Sequence, residues 1–588
     1  MHIEIDSRPE IIYNIPYSLS IKYGERVDNT LKRIMISQKN PLIVQSDHTV
    51  LLEVHSPLYT EARNGLVRFA ELIKSPEHVH TYRITPLSIW NACAAGVLID
   101  EILDTLDRYT KYPIPEHIRI EIKDFASRYG RIKLHRDNRG LILETDNVFL
   151  AEELDHNKAI KPLLADRLSE NEFLIKPVNR GKIKQNLIKI GYPADDLAGY
   201  KTGESFEFNI RDSCLSGVSF QFRPYQKNAA EIFHAGGAKT GGSGVIVMPC
   251  GAGKTIVGIS CMNLIQSSTL ILTTSVTAIR QWKSEILDKT TIADNQIGEY
   301  SGSKKEVLPI TISTYQIMTY RNKNADEFPH LELFNERNWG LIIYDEVHML
   351  PAPVFQITAG LQARRRLGLT ATLVREDNKE DDVFALIGPK KVDIPWKDME
   401  SQGWIATAHC YEMRISLDSS IQMEYAIANT RAKFRIASEN PLKIKIVKDL
   451  LRQHSDRQIL LIGLYIDQLK AISKNLDIPI ITGKTSQKKR DDLYAKFRKG
   501  NIRMMAVSKV ANFAVDLPDV SVAIQISGTF GSRQEEAQRL GRILRPKPGE
   551  NQAFFYSIVS KDTVEQEFAL NRQLFLCEQG YEYAIKYV

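Results

Sequence analysis

Short runs of Val, Ile and Leu alternate with longer amphipathic stretches over the chain from Ser243 onward. Unbroken aliphatic runs are typical of strands in a parallel sheet, because helices cover both faces of such a sheet. The runs fall into two sets separated by a segment with proline, glycine and mixed charge, so they predict two α/β domains in tandem joined by a linker. The first set is 244–248, 269–274, 309–314 and 340–346; the second is 458–463, 478–482, 503–508, 522–527 and 552–559; the linker is 387–405.

The first 200 residues show a different pattern. A helix is predicted to begin at Pro86 with Thr85 as its N-cap, and a hairpin is predicted over 131–145. Helices followed by a hairpin fit either a winged-helix-like unit that touches DNA or a small α+β domain that only packs on its neighbours. We expect the chain to divide into an α+β domain, a second small module and the two larger α/β domains. Their predicted boundaries are 1–140, 141–204, 205–395 and 396–588.

The composition argues against several classes of protein. A net charge of +6 over 588 residues gives no overall field for a polyanion, so any basic surface must be local. The six cysteines are scattered without a Cys-x-x-Cys pair, which argues against a zinc ribbon or a disulfide framework and for a reducing compartment. No apolar run has the length of a membrane span, and the N-terminus lacks a signal-peptide pattern. We expect a cytoplasmic protein with no membrane partner.

A phosphate-binding loop is predicted at MPCGAGKT, residues 248–255. It follows a predicted strand and precedes a predicted helix, which is the context that this motif requires. Gly251, Ala252 and Gly253 would turn backbone N–H groups toward an anion at the helix N-terminus. Lys254 would reach the β- and γ-phosphates and Thr255 would ligate Mg²⁺. The alternative, a glycine-rich turn with an accidental lysine, does not explain the strand–loop–helix frame.

A pair of carboxylates follows a second predicted strand, in LIIYDEVHML. Asp345 and Glu346 come at its carboxyl end, where α/β sheets bind their ligands. Asp345 is predicted to hold Mg²⁺ through water and Glu346 to polarise the attacking water, while His348 bridges toward the next motif. Acidic strand ends are common, but together with the phosphate loop this pair predicts nucleotide hydrolysis.

Gln538, Arg542 and Arg545 lie at spacings of four and three in a predicted helix, hence on one face. Arginine is the side chain best suited to stabilise the charge on a transferring phosphoryl group. The alternative is a solvated basic helix face. Since Lys254 and Asp345 belong to the other α/β domain, the site is split, and nucleotide binding must close the two domains on each other. A split site predicts a motor rather than a simple phosphatase.

Five motifs resemble, in order, those of superfamily 2 helicases. They are FRPYQ (222–226), GAGKT (251–255), DEVH (345–348), TAT (370–372) and QRLGRILR (538–545). LTATLVRED (369–377) is similar to the XPB family of DNA repair and transcription helicases, in which the Arg-Glu-Asp triplet is a hallmark, and 516–547 is similar to its bacterial members. The resemblance implies two tandem RecA-like helicase domains of α/β class preceded by small α+β N-terminal domains. It also implies an ATP- and Mg²⁺-dependent motor that moves 3′ to 5′ on DNA, with repair as its process.

The resemblance also assigns individual roles. Arg223 and Gln226 belong to an adenine-reading motif, and 141–204 resembles a damage-recognition module. A thumb-like insert is expected at about 415–438, and Trp282 is expected in the core rather than as a base-stacking platform. Other residues would contact the phosphates of one DNA strand, or would couple ATP hydrolysis to DNA movement. Phosphate contacts position the protein on the DNA without recognising the base sequence. These other residues are Thr370, Thr372, Arg375, Glu376, Asp377, Arg280, Thr314, Arg431, Lys433 and Arg435.

Two other functions stay open from the sequence. One is an ATP-gated clamp that binds DNA and recruits a partner nuclease with little unwinding of its own, because prokaryotic XPB relatives are associated with partner nucleases. The other is an RNA helicase. An unwinding assay beside an ATPase assay distinguishes the clamp from the DNA helicase. A comparison of RNA with DNA as stimulators of ATP hydrolysis tests whether the protein is an RNA helicase.

Overall fold

A computed structural model of the protein describes most of the chain beyond its first 38 residues. The described residues are 39–74, 78–94, 96–198, 202–237, 241–321, 328–351, 354, 358, 365–371, 383, 386–508, 520–529, 532–547 and 549–588. Their strands form four sheets, two small ones followed by two of seven strands each. Within these residues, no single helix is long and apolar enough to cross a bilayer. One bent pair of helices, Pro86–Ala94 with Ile99–Tyr109, reaches the length and apolar composition of a membrane span when the two are taken together.

The first small sheet is antiparallel and packs against four helices. Its strands are β1 (Leu42–Val44), β2 (Thr49–Glu53), β3 (Glu71–Lys74) and β4 (Val79–Arg83), in the order β1-β2-β4-β3. The helices are α1 (Tyr59–Leu66), α2 (Pro86–Ala94), α3 (Ile99–Tyr109) and α4 (Glu116–Arg128). The predicted start of α2 is confirmed, since the Thr85 hydroxyl accepts a hydrogen bond from Ser88 N at 3.0 Å.

The second small sheet contains the hairpin predicted over 131–145. Its strands are β5 (Ile132–Asp137), β6 (Gly140–Thr145), β7 (Leu164–Arg167), β8 (Glu172–Ile175) and β9 (Ala194–Asp196), in the order β7-β8-β6-β5-β9, with helices α5 (Val148–His156) and α6 (Arg180–Lys189). Because both hairpin strands belong to this sheet, the boundary between the two small domains falls before Ile132 rather than at residue 140. The hairpin and the preceding helices have separate cores, which favours the α+β alternative over a winged-helix unit.

The two larger sheets are parallel throughout, as the aliphatic runs predict. Lobe 1, residues 205–393, contains β10 (Ser243–Val247), β11 (Thr269–Thr273), β12 (Ile297–Tyr300), β13 (Ile310–Thr314), β14 (Leu341–Asp345), β15 (Arg365–Thr370) and β16 (Lys390–Asp393), in the order β12-β13-β11-β14-β15-β10-β16. Its helices are α7 (Pro224–His234), α8 (Lys254–Ile265), α9 (Val276–Lys289), α10 (Tyr315–Met318) and α11 (Leu333–Glu336).

Lobe 2, residues 396–588, includes the second half of the predicted linker and repeats this architecture. Its strands are β17 (Thr407–Ile415), β18 (Gln458–Gly463), β19 (Ile480–Ile481), β20 (Met504–Ser508), β21 (Val520–Gln525), β22 (Gln552–Ser560) and β23 (Tyr583–Tyr587), in the order β19-β20-β18-β21-β22-β17-β23. Its helices are α12 (Trp396–Ser401), α13 (Gln422–Ile427), α14 (Thr430–Ser438), α15 (Lys443–Gln453), α16 (Ile466–Leu476), α17 (Gln487–Arg498), α18 (Arg533–Ile543) and α19 (Val564–Glu578). Helices α13 and α14 occupy the predicted thumb-like insert.

The predicted linker is more ordered than the sequence suggests. It begins as β16, which pairs with β10 at the edge of the lobe 1 sheet, and continues as α12. One cluster of buried apolar residues includes Leu369 of lobe 1, Trp396 of the linker and Leu540 of lobe 2. The linker therefore packs with apolar residues of both lobes in the closed arrangement that the structure shows.

Sheet order brings the predicted motifs of lobe 1 to one edge. Strands β14, β15 and β10 are neighbours in the sheet, and they run parallel. Their carboxyl ends lead into the carboxylate pair, the TAT segment and the phosphate loop, respectively. Parallel strands present their carboxyl ends at the same edge, which is where α/β sheets bind ligands.

Candidate active site between the two lobes

The phosphate loop connects β10 to α8, which begins at Lys254. Gly251 and Gly253 have φ of +82° and +83°, a conformation that favours glycine. A Cβ at Gly253 would lie 2.5 Å from Gln226 Nε2, and one at Gly251 would lie 3.3 Å from Arg545 Cγ. The loop therefore needs glycine at both positions, for its backbone conformation and for the space that its neighbours leave.

The carboxylate pair lies opposite the loop. Asp345 is the last residue of β14, and Glu346 has φ of +51°, which is uncommon for a residue other than glycine. Lys254 Nζ lies 3.5 Å from Glu346 Oε1. The Trp282 indole donates a hydrogen bond to Asp345 Oδ2 at 2.9 Å. Lysine and both carboxylates thus meet at the carboxyl edge of the lobe 1 sheet, as the motifs predict.

Burial and charge give the two carboxyl groups different protonation behaviour. Burial raises the pKa of Asp345, and the adjacent Glu346 carboxylate raises it further. Burial also raises the pKa of Glu346, but the attraction of Lys254 and His348 outweighs it, so the net pKa is lowered. Glu346 is therefore held ionised, which is the state needed to polarise water.

The oxygen donors at this edge fit a magnesium ion. The Thr255 hydroxyl and the Asp345 carboxylate line the same cleft, and Mg²⁺ prefers oxygen ligands of this kind. Glu346 Oε2 is buried and has no hydrogen-bond partner among the residues that the structure describes. A second buried carboxylate beside Asp345 favours a bound cation, because two like charges in contact resist joint ionisation.

Lobe 2 contributes its predicted arginines to this site. Helix α18 packs against the phosphate loop so closely that a Cβ at Gly541 would overlap the Cβ of Cys250. The cleft between the lobes has a volume of about 440 Å³. It is lined from lobe 1 by Arg223, Gly251, Gly253, Lys254, Thr255, Asp345 and Glu346, and from lobe 2 by Gln538, Gly541, Arg542 and Arg545. Burial disfavours the charged form of the Arg542 and Arg545 guanidinium groups and therefore lowers their pKa. Anionic phosphates between the lobes would offset this cost of burying two positive charges.

The two residues that are predicted to read adenine lie beside the phosphate loop. The Gln226 side-chain carbonyl accepts from Arg223 N at 3.0 Å, and its amide donates to Ala252 O at 3.2 Å. Gln226 thus stabilises the phosphate loop through a hydrogen bond to its backbone, whereas Arg223 lines the cleft. The Arg223 guanidinium lies 4.8 Å from the ring centroid of Trp404, a residue of the linker that the sequence did not single out. Nothing in the residues around Trp404 signals this contact, because it depends on how the linker folds back on lobe 1.

His348 connects the carboxylate pair to the TAT segment. Its Nδ1 lies 2.7 Å from Thr370 Oγ1 and 3.5 Å from Glu346 Oε2. Thr370 is fully buried at the end of β15. This arrangement matches the bridge expected of His348, and it places Thr370 next to the hydrolytic groups. The other predicted coupling residues, Thr372, Arg375, Glu376 and Asp377, lie outside the described residues.

The predicted DNA contacts of lobe 1 have other partners in this structure. The Arg280 guanidinium forms an ion pair with Asp491 of lobe 2, with 2.6 Å between Nη1 and Oδ2. Thr314 is 5% exposed, and its hydroxyl accepts a hydrogen bond from Ile317 N at the start of α10. The structure therefore argues against a phosphate contact by the Thr314 hydroxyl, which is buried as a helix cap.

The three predicted contacts of the thumb-like insert differ in their surroundings. Arg431 is exposed at the start of α14. Lys433 is half-buried with Nζ 5.5 Å from the Tyr425 ring centroid, and Arg435 pairs with Glu439 at 2.9 Å.

The prediction that Trp282 lies in the core is confirmed, but the sequence did not predict its contact with Asp345. It is buried in the core as expected, with 1% of its surface exposed, but its N–H reaches Asp345 at the nucleotide site. A signal for this contact exists, because a buried tryptophan N–H usually finds a hydrogen-bond acceptor. The sequence does not tell which acceptor that is.

Three family models match the chain. The ERCC3/RAD25/XPB C-terminal helicase model matches residues 399–587, which are almost all of lobe 2. A model for the type III restriction enzyme, res subunit, matches 219–375 in lobe 1. A model described as a helicase conserved C-terminal domain matches 42–169, ahead of both lobes.

Whole-chain relatives agree with these matches. The chain is 51% identical over 547 residues to the DNA 3′-5′ helicase XPB of Mycobacterium tuberculosis, covering 93% of this chain and 97% of the relative. It is 50% identical over 546 residues to that of Kineococcus radiotolerans, covering 93% and 96%. The XPB subunit of the general transcription and DNA repair factor IIH of Enterocytozoon bieneusi is 34% identical over 573 residues, covering 93% and 92%. These matches show that the chain belongs to the XPB family of helicases.

Proposed function

We propose that the protein is an ATP- and Mg²⁺-dependent DNA helicase that moves 3′ to 5′ and separates strands in DNA repair. The observation that carries this proposal is the single cleft in which Lys254 and Glu346 of lobe 1 meet Arg542 and Arg545 of lobe 2. The names of the bacterial relatives, DNA 3′-5′ helicase XPB, support the substrate and the direction. All six cysteines are free, which supports a reducing compartment such as the cytoplasm.

The cleft residues divide the hydrolysis reaction among them. The loop backbone and Lys254 bind the β- and γ-phosphates, and Glu346, kept ionised by Lys254, polarises the attacking water. Arg542 and Arg545 stabilise the negative charge that spreads over the γ-phosphoryl oxygens. Thr255 and Asp345 would hold Mg²⁺, which neutralises phosphate charge when bound.

Hydrolysis is coupled to movement because the site is complete only when the lobes are closed. The arginines come from lobe 2, so loss of the γ-phosphate removes the anion that holds the two lobes together. The hydrogen bond between His348 and Thr370 links Glu346 to the end of β15 inside lobe 1. Cycles of closing and opening would then move the lobes along DNA.

A variant of the phosphate loop tests the assignment. Lys254→Ala should abolish ATP turnover and unwinding, because Nζ lies opposite Glu346 in the cleft, while the circular dichroism spectrum and melting temperature stay close to those of the parent. Lys304→Ala, at an exposed lysine of the same lobe, is the matched control and should leave both activities unchanged. An active Lys254→Ala variant would contradict the site.

Strand displacement on duplexes with a 3′ or a 5′ single-stranded tail tests the activity. The 3′-tailed duplex should be unwound and the 5′-tailed one should not. ATP hydrolysis stimulated by DNA without displaced strand would instead support the ATP-gated clamp that recruits a nuclease. Stronger stimulation by RNA than by DNA would contradict DNA as the substrate.

A further inference from the structure

Helix α9 contacts three functional parts of the molecule. It follows β11, contains Arg280, which is predicted to contact DNA, and is capped at its start by Ser275, whose hydroxyl accepts a hydrogen bond from Ala278 N. Arg280 on this helix pairs with Asp491 of lobe 2, and Trp282 donates to Asp345 in the nucleotide cleft. One helix therefore connects a predicted DNA contact, the opposite lobe and the carboxylate that is predicted to hold Mg²⁺.

The indole ring of Trp282 is held in a fixed position. A Cβ at Gly258, on the helix that follows the phosphate loop, would overlap Trp282 Cη2 and would lie 3.4 Å from Leu369 Cδ1. The ring therefore packs against that helix in a space that only glycine leaves open. Because the ring is held, the direction of its N–H is set by the positions of α9 and α8.

The choice of acceptor distinguishes Trp282 from Trp90 and Trp339, two other buried tryptophans of this chain. Trp90 donates to Phe125 O at 2.8 Å, and Trp339 donates to Leu333 O at 2.9 Å. Those two bonds satisfy a buried N–H with a backbone carbonyl, as is usual. Trp282 instead donates to a carboxylate that is needed at the nucleotide site. A contact whose only role is to satisfy the N–H does not require such an acceptor.

We propose that Trp282 is a positioning residue that orients the Asp345 carboxylate for Mg²⁺ and transmits the position of α9 to the nucleotide site. The bond to Oδ2 fixes the rotation of the carboxylate and thereby the direction of its other oxygen. When DNA or lobe 2 shifts α9, the N–H shifts with it, and Asp345 gains or loses its orientation for the metal. This inference rests on the proposed function, since it assigns Mg²⁺ to Asp345.

Trp282→Phe tests the proposal, because phenylalanine keeps an aromatic ring and removes the N–H. Groups that hold a metal ligand in place typically contribute about 10–100-fold to metal affinity. We therefore expect the Mg²⁺ concentration for half-maximal binding of a fluorescent non-hydrolysable ATP analogue to rise about 10-fold. Binding of the same analogue in EDTA should stay at the parental level, and stimulation of ATP hydrolysis by DNA should fall.

Trp339→Phe is the matched control. It removes a buried indole N–H in the same lobe, away from the cleft, and should leave the Mg²⁺ dependence unchanged. Gly258→Ala is the second variant, because its methyl group displaces the Trp282 ring and leaves the N–H in the chain. It should raise the Mg²⁺ requirement in the same direction, and it decides the question if Trp282→Phe does not fold.

The outcomes separate this inference from the function on which it rests. Equal Mg²⁺ dependence in Trp282→Phe, Gly258→Ala and the parent would overturn the role of Trp282 while leaving the helicase proposal intact. A parallel loss of analogue binding with and without Mg²⁺ would mean that Trp282 only supports the fold. A parent protein without DNA-stimulated hydrolysis would overturn the proposed function itself.

Discussion

Arg542 and Arg545 reach the cleft from lobe 2, although the phosphate loop that they face belongs to lobe 1. Replacing either by alanine should leave ATP binding within a few-fold of the parent and slow hydrolysis by about 10³-fold or more, the usual cost of losing an arginine that stabilises phosphoryl transfer. Single-turnover hydrolysis beside equilibrium binding measures the two effects. Arg452→Ala, at an arginine that is 79% exposed on lobe 2, is the control. Equal losses of binding and hydrolysis would contradict the assigned role.

The acid limb of the pH–rate profile should depend on Mg²⁺. Burial, with repulsion from Glu346, raises the pKa of Asp345 to about 6, so its carboxyl group binds a proton as the pH falls through that range. A bound cation favours the ionised form and therefore lowers the apparent pKa. ATP hydrolysis measured between pH 5 and 8 at low and high Mg²⁺ should show the acid limb moving to lower pH as Mg²⁺ rises. A limb that does not move would mean that Asp345 does not hold the ion.

Among single residues, those of the candidate nucleotide site could be predicted from the sequence, whereas the contacts of Arg280 and Trp282 could not. Lys254, Asp345 and Arg542 belong to motifs in which a short spacing, together with the strand or helix around it, specifies the chemistry. Arg280 and Trp282 are two residues apart on α9, but their partners come from lobe 2 and from another strand. Such contacts depend on tertiary packing, which a local pattern does not contain.

The contact between helix α18 and the phosphate loop depends on Gly541. A methyl group there would overlap Cys250 Cβ, so Gly541→Ala should hold the lobes apart and withdraw the arginines from the cleft. We expect hydrolysis to fall at least 10-fold with little loss of ATP binding or thermal stability, because arginines of this kind contribute far more than 10-fold when they are in place. Gly302→Ala is the control, since nothing lies within 4 Å of a Cβ added there. Normal hydrolysis by Gly541→Ala would show that closure does not need this contact.

At the level of the elements, aliphatic runs predicted most of the central strands, but they left out the central strands β15 and β17 and the edge strands β12, β16 and β23. Strands β10, β11, β14, β18, β20, β21 and β22 are buried on both faces and read as continuous apolar runs. Strand β16, by contrast, is half-exposed and contains two lysines and an aspartate, so its composition resembles a linker. Its place in the sheet comes from pairing with β10.

On the scale of the whole molecule, the first small domain docks on the linker between the lobes. Arg63 of helix α1 forms an ion pair with Asp398 of helix α12, and both side chains are mostly buried. Asp398→Arg should separate this domain from the linker, and Arg63→Glu in the same chain should restore the contact with reversed charges. Losing a charged hydrogen bond of this kind costs about 1–3 kcal/mol. Hydrogen exchange of helix α1 should increase in the single variant and return in the double one. If the double variant exchanges as fast as the single one, the pair does not hold the domain.

A triphosphate bound in the cleft would hold lobe 1 and lobe 2 together, and its hydrolysis would release them. The most direct test is the distance between the lobes, measured by energy transfer between dyes at the exposed positions Lys304 and Lys470. Transfer should change on binding a non-hydrolysable ATP analogue with Mg²⁺, return to its starting value with ADP, and fail to change in Lys254→Ala. A distance that is the same with no nucleotide, with the analogue and with ADP would contradict the account.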